Sequence, residues 1–142
     1  MLERLAEALA VVVGRARSAD PEPLAQLEAL FLRILGNVHE HFEDTQLLMR
    51  EVLDNRPRAE HARSWYLTDF LDSIVAIAGR APGGATLSQT QSLARVYALF
   101  GAINYFAVSG PTLSQMYGEA GSAALRAQYP DEVRRMVRNA FG

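Results

Sequence analysis

Leu93 to Gly118 reads LARVYALFGAINYFAVSGPTLSQMYG, and the part up to Val108 decides the fold. Only Arg95 and Asn104 interrupt an otherwise apolar or small-residue run with helical spacing. A helix apolar on nearly all sides has to be covered on nearly all sides. A chain of 142 residues has little interior in which to hide it. Such a helix is expected to face its own domain on one side and a second subunit on the other. Its spacing separates two faces. Ala94, Ala98, Gly101 and Tyr105 form a mostly small stripe, which lets another helix axis come close. Val96, Tyr97, Phe100 and Ile103 form the bulkier opposite side.

Outward from this segment, helical periodicity dominates and alternation of period two is nearly absent. Leu2, Leu5, Leu9, Val12 and Val13 share one side of an amphipathic helix ending near Ser18. Asp20 and Pro21 are placed to open a second helix, with Leu24, Leu27, Phe31, Ile34, Leu35, Val38 and Phe42 on its apolar side. A shorter helix from Asp44 carries Leu47, Leu48, Val52 and Leu53. The next, from Ala59 to Ala78, carries Leu67, Phe70, Leu71, Ile74 and Ile77. Gly79 and Pro82-Gly83-Gly84 read as a flexible loop, after which Thr86 or Ser88 caps the central helix, Ser88 with Gln91 matching the spacing of a capping box. Ser109-Gly110-Pro111 stops the central helix, and Pro130-Asp131 opens a closing helix that reaches Phe141. The expected fold is all-α: an antiparallel bundle of about six to seven helices, with 1–142 as a single domain.

Composition removes several function classes. There is no cysteine, so disulfide scaffolds, thiolate metal sites and cysteine catalysis are excluded. Fourteen basic residues, all arginine, face sixteen acidic ones for a net charge of −2. That balance argues against duplex binding by this chain alone, because phosphate contact calls for a basic face. Arg134, Arg135 and Arg138 read as the solvated side of an amphipathic helix. The expected location is cytoplasmic, with no membrane span and no signal peptide. His39-Glu40-His41 has the densest group of potential ligands, but the two histidines project about 200° apart on a helix. The zinc-protease spacing fails at Glu43, and no paired Glu-x-x-His units occur. His39 and His41 are therefore expected to meet solvent near a helix end, and no metal, cofactor or catalytic residue is expected.

Three segments carry a resemblance: ARSWYLTDFLDSIVAIAGRA, LFGAINYFAVSGPTLSQMYG and YPDEVRRMVRNAFG. The chain resembles the C-terminal, ligand-binding and dimerisation domain of TetR-family transcriptional regulators. The likeness in helix order and loop placement extends over nearly the whole sequence. The family's N-terminal helix-turn-helix has no counterpart here, since Met1 falls where its connecting helix would lie. The resemblance thus implies the sensing and dimerising half of a regulator, with DNA binding confined to a full-length protein. The first helix would transmit ligand occupancy to the DNA-binding heads.

A small apolar effector is expected in a pocket lined by Phe31, Leu35, Met49, Trp65, Tyr66, Phe70 and Phe100, with Asn104 as its polar handle. A homodimer is expected through Ala94, Ala98, Gly101 and Tyr105, joined by Val133, Met136, Val137 and Phe141 of the closing helix. The competing readings are a structural dimerisation module without ligand and a small helical enzyme acting on an apolar substrate.

Overall fold

The computed structural model describes residues 7, 10, 11, 14, 22–54 and 61–142, the side chains of 51, 52, 54 and 61–66 excepted. The described residues are helical in five elements joined by turns: α1 (Pro23–Glu40), α2 (Phe42–Asp54), α3 (His61–Ala78), α4 (Gln89–Val108) and α5 (Gly110–Phe141). Residues 7, 10, 11 and 14 are helical too, but the apolar side expected of the first helix falls outside the described residues. Among the described residues no helix is long and apolar enough to cross a membrane.

α1 starts at Pro23, after an extended Glu22, and not at Pro21. A proline in the first turn forfeits an N–H that has no helical partner there. Its face of Leu27, Leu30, Phe31, Ile34, Leu35 and Val38 is buried. The chain turns at His41, whose N–H donates to the Asn37 carbonyl at 2.9 Å. Thr45 Oγ1 then donates to the His41 carbonyl at 3.1 Å, tying the start of α2 to the end of α1.

α1 and α4 pack against each other, and each of α2, α3 and α5 packs against both. Two central helices with three neighbours leave part of each central helix uncovered. For α4, the buried side is Val96, Leu99, Phe100, Ile103 and Ala107. Its start is the expected capping box: Ser88 Oγ accepts from the Gln91 N–H at 3.1 Å, and Gln91 Oε1 accepts from the Ser88 N–H at 2.9 Å.

The loop between α3 and α4, expected to be flexible, is clasped to the end of α5. The Gly83 N–H donates to the Phe141 carbonyl at 2.8 Å, and Ala81 is completely buried. A Cβ on Gly84 would stand 1.8 Å from the Ala78 carbonyl oxygen, so only glycine lets the loop pass this close.

α5 differs most from the sequence-based expectation. It is interrupted at Gly118, whose φ of 76° and ψ of 168° are accessible essentially to glycine alone. Beyond this break the helix runs on to Phe141 with Pro130 in its interior, where a helix start had been expected. Proline there removes one helical hydrogen bond and costs about 3 kcal/mol. Tertiary contacts offset this. Tyr129 stacks on Phe106 with ring centroids 3.7 Å apart, and its hydroxyl donates to the Ala102 carbonyl at 3.0 Å. Arg138 also pairs with Glu28 of α1 at 2.5 Å.

A candidate ligand cleft between the two central helices and α5

The last turn of α1 and the last turn of α4 meet the first half of α5 in an open cleft of about 300 Å³. Its walls are mostly apolar: Phe42, Phe106, Ala107, Pro111 and Leu113. Four polar side chains line it as well, those of His39, Ser114, Ser122 and Arg126. The chain brings them together by three devices: the turn at His41, the stop at Ser109-Gly110-Pro111, and the break at Gly118 that redirects α5 back over α4.

His39 is the most constrained of these residues. Its ring meets Phe106 edge-on with centroids 5.8 Å apart, and its Nε2 is buried without a hydrogen-bond partner. Burial, and then the nearby Arg126 guanidinium, lower its pKa from the ordinary 6.5, so the ring is neutral at neutral pH. The expectation that His39 only meets solvent is therefore corrected, whereas His41 is exposed. Tyr129, stacked on Phe106, has its phenol pushed above its ordinary value by burial and then by Glu132. Among the described residues, Arg126 makes no ion pair and the cleft's lining contains no carboxylate.

Of the residues expected to line a ligand pocket, Phe31, Leu35, Met49, Phe70, Phe100 and Asn104 do not line this cleft. Phe31, Leu35, Phe70 and Phe100 belong to the buried core, Phe70 and Phe100 meeting edge-on at 5.8 Å. Met49 is half-buried on α2. The side chains of Trp65 and Tyr66, and any cavity they would line, fall outside the described residues. Asn104 is 1% exposed, and its Nδ2 donates to the Phe100 carbonyl at 2.8 Å. Its Oδ1 is buried with no partner.

The residues expected to form a dimer seam separate into two groups. Ala94 and Ala98 are exposed, Gly101 is half-buried, and Tyr105 is 71% exposed. Tyr97, expected on the inward side, is 54% exposed and belongs with them. Val133, Val137 and Phe141 are fully buried within the chain, with Met136 packed against the same cluster. The apolar stripe of the closing helix thus completes the chain's own core, where α5 packs against α1 and α4. α5 instead exposes Met116, Tyr117 and Leu125.

No family model matches the chain, and no curated protein or solved structure matches it either. Among the described residues, no group of three or more His, Asp or Glu side chains is placed to hold a metal ion.

Proposed function

We propose that this chain is a small-molecule-binding, self-associating helical domain that serves as the effector-sensing half of a TetR-type regulator. The observation that carries the reading is the cleft at His39 and Phe106. Ligand sites in helical proteins are concave and mostly apolar, with a few converging polar groups, and this cleft has that make-up. A buried ring nitrogen without a partner costs free energy that a bound molecule can recover. The bundle of more than the five described helices and the regulatory role rest on the resemblance alone.

Self-association is supported by the exposed side of α4. Ala94, Ala98 and Gly101 offer little bulk, so a second copy of the same helix can approach closely about a two-fold axis. Among the described residues, a Cβ built on Gly101 meets nothing within 4 Å. Gly101→Leu should therefore leave the monomer's fold intact while overfilling the seam, at a cost of about 1–3 kcal/mol per site. Sedimentation velocity should show a dimer for the parent protein and a shift towards monomer for the variant. A monomeric parent, or an unaltered dimer in Gly101→Leu, would remove this seam.

The ligand half of the reading is tested by backbone amide shifts on adding octanoate or octanamide. Either probe should perturb Phe106, Ala107 and Leu113 before any residue of α3. If neither does, the cleft is not a ligand site. A ligand-free structural module would then be the better reading.

A further inference from the structure

We infer that the cleft selects an apolar organic monocarboxylate, its head held by Arg126 with Ser114, Ser122 and His39, and its body lying against Phe42, Phe106 and Leu113. The inference rests on the cleft being the ligand site and adds the chemical class of what enters it. Three features carry it. The first is the charge imbalance: among the described residues the lining holds one cation and no anion, and Arg126 has no ion pair. A guanidinium presents parallel N–H donors whose spacing fits one carboxylate.

The second is the donor set. Ser114 and Ser122 each offer a hydroxyl, and the His39 Nε2, buried and unpartnered, can carry a proton and donate to a carboxylate oxygen. A carboxylate has acceptor sites enough to serve a guanidinium, two hydroxyls and an imidazole together. A cationic or purely donating head would leave the same groups facing another donor.

The third is the ratio of charge to apolar wall. A phosphate dianion calls for more than one cation and a wetter pocket, whereas Phe42, Phe106, Ala107, Pro111 and Leu113 repel a compact, heavily hydrated anion. One charge on an apolar body satisfies both halves of the cleft.

The test compares octanoate, octanamide and octylamine, which share a chain length and differ in the head. Amide shifts of Phe106, Ala107, Leu113 and Ser122 locate binding and yield a Kd for each probe. Octanoate should bind the parent protein about tenfold or more tightly than octanamide, the gain expected of a hydrogen bond to a charged partner. In Arg126→Gln the preference of the cleft for octanoate over octanamide should vanish. Arg126→Lys, which keeps the charge, should retain part of it. Arg126 is exposed, so these variants are not expected to disturb the core. The parent's preference between probes also stands as a test without any variant.

Equal binding of octanoate and octanamide in the cleft, unaffected by Arg126→Gln, would overturn the carboxylate inference and leave the ligand site standing. Preference for octylamine would do the same. Absence of shifts at the cleft with all three probes would overturn both the inference and the site.

Discussion

Asn104→Leu should make this protein more stable. Asn104 sits in the middle of the structure, 1% exposed, on the helix that touches every other described helix. Its Nδ2 donates to the Phe100 carbonyl one turn back, a local bond of net worth about 1 kcal/mol. That carbonyl keeps its backbone partner in the α4 ladder, so losing the side-chain donor orphans nothing. Oδ1 has no partner, and burying it costs about 1–3 kcal/mol. Leucine has the same number and branching of side-chain heavy atoms as asparagine and is apolar, so it removes that cost without opening a cavity. The balance is a gain of up to about 2 kcal/mol, or up to roughly 8 °C in Tm for a chain of this size. Differential scanning calorimetry with urea denaturation measures both. Asn104→Ala serves as the control: it removes the same amide but leaves a void, and should cost about 2 kcal/mol. A lower Tm for Asn104→Leu would refute the reasoning, because it would mean that Oδ1 is held by a partner whose loss outweighs the relief.

Two further perturbations follow from the same structure. Gly84→Ala should destabilise the fold by about 3 kcal/mol, the upper end for overpacking, because the new methyl would overlap the Ala78 carbonyl; urea denaturation that is unchanged would contradict the clasp. His39 has its folded pKa lowered by burial and by Arg126, so the unfolded chain takes up a proton that the folded chain refuses. Its contribution to stability is complete above the ordinary 6.5 and declines as pH falls from there to the lowered folded value. His39→Gln should flatten the stability profile across that window, and an identical slope in the variant would show that His39 is not its source.

Periodicity located the helices well where a single face carries the whole message. The apolar side of α1, the inward side of α4 around Val96 and Ile103, and the capping box at Ser88 are all local properties, visible within a turn or two. What the closing helix does with its stripe is not local. Val133, Val137 and Phe141 look alike whether they cover the same chain or another one, and only the position of α1 decides. Pro130 reads as a helix start because sequence patterns carry the local cost of an interior proline. They do not carry the Tyr129–Phe106 stack that offsets it. The cleft was hidden for the same reason. His39, Phe106 and Arg126 come from three distant helices, and none has a neighbour in sequence that marks it. Asn104 was visible as a lone amide in an apolar run, though its local bond to Phe100 was not.

The ion pair between Glu28 and Arg138 spans 110 residues, and it marks the place where α5 covers α1. During synthesis that cover arrives late. At ribosomal speeds of about 5–20 residues per second, the greasy side of α1 waits roughly 5–20 seconds for α5 to emerge. Through that interval Leu27, Phe31 and Ile34, all fully buried at the end, have only part of their shelter. The nascent chain is then a substrate for holding chaperones. Translation pauses ahead of α5 would lengthen its time in their hands, and synonymous codons in that stretch become a lever on yield.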